Sequence, residues 1–479
     1  MTMLGKRRPG RASSGVSGLH GRQAEHREAS EEQDALEIRG LAHDGRGVAR
    51  IARGKTVFVE GALPGEHVRV AVHRTRKRFD EAHVRELLVA SPERVAPPCA
   101  HVGQCGGCDL QHLALAAQRR HKQAVLEAWL GRQGITLEAA PELLAGSGES
   151  YRRRARLGVK VDAEGGVHLG FRARHSHRLV DIDACTVLVP ALDALLAPLH
   201  RLLAELEAPR QVGHLELLDS DQGALVVVRQ LHDHAADAWR WQAFSRARGV
   251  HLARWLGREA PKLDWLTPTP ALRCRVPGPD GELTLGIAPG DFLQANAEVN
   301  SLMVTTALAW LAPLARGRRV LDLFAGVGNF SLPLAAAGAR VTAVEGRAAM
   351  VARLADNACR NAPGRELSVA ARQADLNDEA TVGELLQEVG PEVVVLDPPR
   401  QGAEPACRVL GQRPVPRLLY ISCDPATLAR DAALLVHAGY RIRHAAVADM
   451  FVHTSHVESM LLFEYPGAAR QAQGGSSDG

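Results

Sequence analysis

The period of the apolar positions changes repeatedly along the chain. Residues 1–33 are rich in Arg, Gly, Ser and Glu and show no apolar period, which predicts a disordered leader. Residues 467–479 predict a matching tail. From about 35 to 90, short β-like runs alternate with glycine turns: ALEIRGLA, GVARI, KTVFVEGAL, EHVRVAVHR and FDEAHVREL. Strands this short and this closely spaced predict a small antiparallel barrel. The stretch AAQRRHKQAVLEAWLGR then has the spacing of an amphipathic helix. Between 150 and 285, RARLGVKV, GVHLGFRA and GALVVVRQL predict an α+β middle domain.

From about 290 the texture changes again. RRVLDLFAGVGNFSLPLAAAGARVTAVEG reads as strand, glycine turn, helix and strand. PEVVVLDPPR and PRLLYISCDPATLARDAALLVHAGY each repeat an apolar strand running into a polar turn. Strands alternating with helices predict a parallel, doubly wound α/β sheet.

Composition narrows the class without deciding it. At 479 residues the chain exceeds one ordinary core, so several domains are expected. With 46% hydrophobic and 23% charged residues it has a globular balance. No apolar stretch reaches transmembrane length, and the basic N-terminus lacks the apolar core of a secretory signal. A cytoplasmic protein with no membrane partner is expected. The net charge is only +4, but Arg74–Arg78 and Arg152–Arg154 are dense basic runs. They suit a polyanion, and a solvated surface face explains them equally well.

The parallel-sheet region carries the chemistry. In VLDLFAGVGNF, Asp322 ends a strand, and Gly326 and Gly328 permit a tight turn close to a ligand. Dinucleotide folds also use a glycine turn after a strand, but with G-x-G-x-x-G around a pyrophosphate. The D-x-F-x-G-x-G-N pattern here favours a donor without phosphates, S-adenosyl-L-methionine. Glu345 ends the next strand, 23 residues after Asp322, where a carboxylate can hold ribose hydroxyls. A third strand ends at Asp397-Pro398-Pro399-Arg400, and a fourth at Ser422-Cys423. Ligands of open α/β sheets bind at the carboxyl ends of strands, so Asp322, Phe324, Asp397 and Cys423 are expected to face one crevice. Base-amino methyltransferases follow a comparable D/N-P-P with an aromatic residue, and Arg400 in that place disfavours exocyclic-amine chemistry.

A thiol in that crevice has a specific use. Carbon 5 of a pyrimidine is too weak a nucleophile to attack a sulfonium. Addition of a thiolate at carbon 6 makes an enolate whose carbon 5 can attack, and a base must then remove the carbon-5 proton. Cys423 fits the nucleophile, and His453, His456 and Glu458 in FVHTSHVESMLLF are candidate bases. The bland alternative for Cys423 is a small buried core residue.

SCDPATLARD, HTSHVESM, LDPPRQG and DFLQANAEVN together resemble the RNA uracil-C5 methyltransferase family. The resemblance spans residues 35 to 465. It implies Cys423 as nucleophile and Glu458 as base, with Gln294, Phe324, Asn329, Glu345, Asp375 and Asp397 lining the pocket of the S-adenosyl-L-methionine donor. Asp397 is also a candidate for touching the uracil. The 35–90 region resembles a TRAM domain, a barrel of OB-like type. The implied layout is multidomain: a leader at 1–33, a barrel at 34–91, an α+β middle domain at 92–286, a Rossmann-like α/β methyltransferase domain at 287–466 and a tail at 467–479. The branch it resembles most acts on 23S rRNA, at the uracil conventionally numbered 1939, which implies that RNA as partner of a monomeric enzyme. A tRNA or other 23S uracil as target, or a non-catalytic RNA-binding protein, are the competing readings.

Cysteine placement adds a second centre. Cys99, Cys105 and Cys108 crowd one segment, with Gly106-Gly107 between the last two. Spacing alone points to structural zinc and leaves the fourth ligand open. The family resemblance implies a [4Fe-4S] cluster held by those three and Cys185. Two departures from the family pattern stand out. Asp424 replaces an asparagine after the cysteine, where an inward carboxylate would disfavour the thiolate, so it is expected to point away or serve the turn. Ala325 replaces a common cysteine in the donor loop, a harmless small-for-small change.

Overall fold

The computed structural model describes residues 35–51, 54–174, 176–315 and 317–467. The leader at 1–33 and nearly all of the tail therefore lie outside the described residues. The N-terminal part is a six-stranded sheet whose order across the sheet is Leu36–Glu37, His67–Thr75, Phe79–Val89, Thr56–Glu60, Gly47–Arg50 and Gly40–Leu41. Its strands fall on the alternating runs of the sequence, with Val57 and Val59 buried on one face. The antiparallel expectation needs one correction: Thr56–Glu60 and Phe79–Val89 pair in parallel. His67–Thr75 forms a hairpin with Phe79–Val89, so the returning strand arrives beside Thr56–Glu60 running the same way.

The middle part holds a seven-stranded sheet from Arg154–Val161 to Lys262–Trp265. It is antiparallel except where Gly223–Gln230 and His251–Leu256 pair in parallel across the helix Ala235–Arg248. Helix Leu196–Glu205 buries Leu196, Leu199, Leu202 and Leu203, one stripe at helical spacing, in the same core as the inward residues of that sheet.

The C-terminal part is built on the strands β1 (Arg319–Leu323), β2 (Arg340–Glu345), β3 (Ser368–Gln373), β4 (Val393–Leu396), β5 (Arg417–Ser422), β6 (Arg441–Ala448) and β7 (Glu458–Glu464). Their order is β3-β2-β1-β4-β5-β7-β6, and Glu142–Leu144 adds an eighth strand in parallel beside β6. Only β7 runs against its neighbours. Strands buried on both faces read as continuous apolar runs, as in VVVL of β4. The pleat sends Val394 and Leu396 into one core and Val393 and Val395 into the other. Each such side chain contributes about 1.5–3 kcal/mol by leaving water.

The segment before the middle sheet is locked to this C-terminal part. Helix Leu115–Arg132 places Val125, Leu126 and Leu130 in the same core as β1, β4 and β5. Its Lys122 is fully buried, with Nζ 2.7 Å from Asp449 Oδ1 and 2.8 Å from the carbonyl oxygen of Phe451. Arg152–Arg154, a candidate RNA grip in the sequence, has a different use. Arg153 is buried, and its Nε donates to the Gln294 carbonyl at 2.8 Å. Arg154 donates to the Asp291 carbonyl at 2.6 Å and pairs with Glu216 at 2.6 Å. A guanidinium buried inside the fold, or paired with a carboxylate and a carbonyl, is not offered to phosphates. Two of the three arginines therefore join the middle part to the C-terminal part.

Candidate active site

The strand order decides which side chains meet. β1, β4 and β5 are consecutive and parallel, so their carboxyl ends lie along one edge of the sheet. That edge receives Asp322 near the end of β1, Asp397 just after β4 and Cys423 just after β5, as the strand-end reading anticipated.

At the first end the backbone makes an unusual turn. Phe324 has φ +65°, followed by Gly326 at +58° and Gly328 at +102°. A non-glycine residue in the left-handed region costs about 1–3 kcal/mol unless its surroundings hold it. Here Ala325 N donates to the Val344 carbonyl at 3.0 Å, and Gly326 N donates to Glu345 Oε2 at 3.2 Å. The other Glu345 oxygen accepts from Arg347 N at 3.0 Å. Glu345 thus ties the end of β2 to the loop after β1. Asn329 exchanges two amide hydrogen bonds with Asn300, each 2.9 Å. Asp375 lies two residues beyond β3, exposed, and caps its own turn by accepting from Asn377 N at 3.0 Å. Gln294 is buried on the segment that Arg153 holds by its carbonyl.

Asp322 is buried, with one carboxylate oxygen accepting from Ser331 Oγ and the other without a partner. Burial, reinforced by the nearby Glu345 charge, pushes its carboxyl up to about 7. Burial and the Asp322 charge push Asp397 up to about 7 as well.

The second cluster lies one strand further along. β5 and β7 pair antiparallel with Ser422 opposite Ser459, so Cys423 follows one strand end while Glu458 begins its neighbour. Burial pushes the Cys423 thiol up to about 11, with the charges of Glu458 and Asp397 adding to it and Arg400 opposing them. Burial raises Glu458 well above the usual carboxylate range; Asp397 adds to that rise and Arg400 again opposes it. Cys423, Glu458, Asp397 and Arg400 therefore form one electrostatic unit. Asp424 turns away from the thiol, as expected of a turn residue. It is the N-cap of helix Pro425–His437, accepting from Ala426 N and Thr427 N, both at 3.0 Å. The same helix fixes the loop that bears Arg400. Thr427 Oγ1 donates to the Arg400 carbonyl at 3.1 Å, and Arg430 donates to the Gln401 carbonyl at 2.9 Å.

Cys99, Cys105, Cys108 and Cys185 line one pocket of about 350 Å³, with Arg152, Arg400, Phe451 and His456 also on its wall. Burial raises the thiols of Cys105, Cys185 and, to about 12, Cys108, and the neighbouring cysteines raise each further. Mutual repulsion of that kind is relieved by a bound cation. Among the described residues, no group of three or more His, Cys, Asp or Glu converges tightly enough to hold a metal ion.

Residues 115–465 match the family described as tRNA (Uracil-5-)-methyltransferase, and residues 31–84 match the TRAM domain. The chain belongs to the uracil-5-methyltransferase family. A member of that family from Halomonas elongata, named 23S rRNA (uracil(1939)-C(5))-methyltransferase, is 63% identical over the whole of both chains. One of the same name from Pseudomonas aeruginosa is 44% identical over 90% of this chain and 93% of its own. The solved tRNA (uracil-54, C5)-methyltransferase of Pyrococcus abyssi, crystallised with S-adenosyl-L-homocysteine, superposes with a TM-score of 0.68 at 23% identity. It covers 90% of this chain and 100% of its own, and this likeness carries the fold alone.

For this member of the uracil-5-methyltransferase family, sequence reasoning leaves two site neighbours without a role. Arg400 stands out in the sequence only as a missing aromatic, yet its charge faces both the thiol and the buried glutamate. Asn300 has no signal beyond its presence in DFLQANAEVN, and it fixes Asn329.

Proposed function

We propose that this chain methylates carbon 5 of a uracil in 23S rRNA, the one numbered 1939, using S-adenosyl-L-methionine. The observation that carries the reading is the thiol of Cys423 and the buried carboxyl of Glu458 on neighbouring strand ends, beside the turn at Phe324–Asn329. The names of the relatives, one of them 63% identical from end to end, support the rRNA target. In the reaction, the Cys423 thiolate bonds to carbon 6 and the carbon 5–carbon 6 π pair moves out to the carbonyl oxygen. Carbon 5 then takes the methyl group and the donor's sulfur keeps the bonding pair. Glu458 accepts the carbon-5 proton, the double bond re-forms and the sulfur–carbon 6 bond breaks. Arg400 opposes the negative field of Asp397 and Glu458, favouring the ionised thiol. Gln294, Phe324, Asn329, Glu345, Asp375 and Asp397 hold the donor, with Glu345 on its ribose. Mapping methyl groups on 23S rRNA with and without the gene tests the target. Loss of one 5-methyluridine at 1939 is expected, and loss at a tRNA site instead would overturn the assignment.

The four-cysteine pocket is read as a [4Fe-4S] site held by Cys99, Cys105, Cys108 and Cys185. Thiols that share a pocket without converging on one point suit a cluster of several irons better than one zinc ion. Its role is structural or RNA-contacting, since methyl transfer consumes no electrons. Protein purified without oxygen is expected to be brown and to carry about four irons per chain. Stoichiometric zinc without iron would overturn the reading.

Residues 34–91 are read as a closed TRAM-type barrel that grips RNA, 92–286 as the middle domain and 287–466 as the methyltransferase domain of a monomeric, cytoplasmic enzyme. Closure is supported by the chain itself. The two edge strands of the first sheet, Leu36–Glu37 and Gly40–Leu41, are separated by only two residues, which can span roughly 10 Å. No helix among the described residues is long and apolar enough to cross a membrane. Arg76, Lys77 and Arg78 stand exposed at the tip of the hairpin between His67–Thr75 and Phe79–Val89, with exposed Arg74 beside Glu81 at 3.6 Å. Flipping a uracil out of its stack costs a few kcal/mol, which backbone contacts must offset. Replacing Arg74, Arg76, Lys77 and Arg78 together by serine should weaken RNA binding and flatten its salt dependence, with donor affinity unchanged. An unchanged salt slope would make the hairpin a solvated spacer. Point substitution suits this test better than truncation, because Arg94 pairs with the fully buried Glu66 at 2.5 Å and anchors the barrel to the cysteine segment.

A further inference from the structure

The loop between β6 and β7, residues 449–457, delivers Glu458 to the site, and beyond Asp449, whose N–H donates to the Leu144 carbonyl at 2.8 Å, the sheet does not hold it. His453 sits in it at φ +66°, a left-handed conformation that persists only under restraint. The restraint comes from outside the catalytic sheet. Asp109 grips Ser455 with both oxygens, Oδ1 accepting from Ser455 N and Oδ2 from Ser455 Oγ, each at 2.7 Å. The backbone N–H groups of Asp109 and Leu110 donate to the His453 carbonyl at 3.0 and 2.9 Å. Gln118 completes the grip by accepting from His453 N at 2.9 Å. Glu458 begins β7 three residues beyond Ser455. It has a partner in β6 but none in β5, whose pairing starts at Ser422 opposite Ser459. Where its carboxyl sits therefore depends on how the loop enters the strand.

We propose that Asp109 is a positioning residue for the base, acting through Ser455 to set Glu458 for removal of the carbon-5 proton. The proposal rests on the base role given to Glu458 above. Asp109 directly follows Cys108, so the cysteine segment reaches the loop that delivers Glu458 through this side chain and two backbone N–H groups. A shift of about 1 Å in a reacting group can cost on the order of 10²-fold in rate. Addition of Cys423 and methyl transfer precede the proton step, so a misplaced base leaves the enzyme joined to methylated RNA.

The test uses the full-length protein and a 23S rRNA fragment carrying the target uracil. Asp109→Ala is expected to lower kcat by about 10–100-fold and to lower KM for the RNA with it, because the slowed step follows covalent addition, while a covalent protein–RNA species appears on denaturing gels. Asp109→Asn retains an oxygen for Ser455 N and an N–H for Ser455 Oγ, and it should restore turnover and abolish the build-up. Should the alanine variant fail to fold, Ser455→Ala loses one of the two contacts and should show a smaller build-up; none there overturns the proposal. A slow Asp109→Ala enzyme without the covalent species, or with no rescue by asparagine, makes Asp109 merely structural and overturns it. If Glu458→Gln accumulates the species and Asp109→Ala does not, the positioning role alone fails. If Glu458→Gln turns over freely, the base assignment fails and the proposal falls with it.

Discussion

Cys423→Ala is expected to abolish methyl transfer, by about 10⁴-fold or more, while leaving S-adenosyl-L-methionine affinity unchanged. The thiol is needed only for addition at carbon 6, and the features proposed above to hold the donor lie elsewhere along the sheet edge. Those are the left-handed turn after β1, the Glu345 tie from β2 and the Asn300–Asn329 pair. Calorimetric titration with the donor and a tritium-release assay on rRNA separate the two quantities. RNA containing 5-fluorouracil adds a direct readout. Fluorine at carbon 5 cannot leave as a proton, so the wild-type enzyme should be trapped as a stable adduct and the alanine variant should not. Normal turnover by the variant would remove Cys423 from the mechanism.

Glu458→Gln should do the opposite to the adduct. An amide cannot accept the carbon-5 proton, so addition and methyl transfer proceed and the enzyme then stalls on its product. Steady-state turnover should fall by about 10²- to 10⁴-fold. A covalent species should accumulate with ordinary uracil RNA, and mass spectrometry should find the trapped nucleotide already methylated. Free turnover without a trapped species would transfer the role to another group, with His456 on the wall of the neighbouring cysteine pocket as the first to try.

The catalytic sheet was legible because its strands are buried on both faces. Runs such as VVVL and LLYIS, short, β-branched or aromatic and closed by turn residues, read as buried strands, and the topology sets the residues after each run at the ligand edge. Asp424 was legible as a turn residue because an Asx before a proline and a helix-forming run is an N-cap signal. In the basic run Arg152–Arg154 two of the three arginines are spent inside the fold, because charge density on paper does not say which carbonyls lie within reach. Arg153 finds Gln294 from 141 residues away. The parallel pair in the first sheet was hidden because alternation marks a strand's two faces and carries no information about its direction. The grip of Asp109 on Ser455 joins residues 346 apart, and neither the spacing nor the composition of either segment signals it.

The strand Glu142–Leu144 has a consequence for how the protein is made. It pairs with β6 in the register of Glu142 opposite Ala446, so its partner is synthesised about 300 residues later. At about 5–20 residues per second a ribosome needs roughly 15–60 s to cover that distance. For that interval the nascent chain carries an unpaired strand together with the apolar face of helix Leu115–Arg132, whose core partners in β4 and β5 also emerge late. Both are templates for wrong pairing while they wait. The emerging polypeptide is therefore most in need of a chaperone between the release of residue 144 and that of residue 448, and a stalled ribosome in this window would hold an aggregation-prone intermediate.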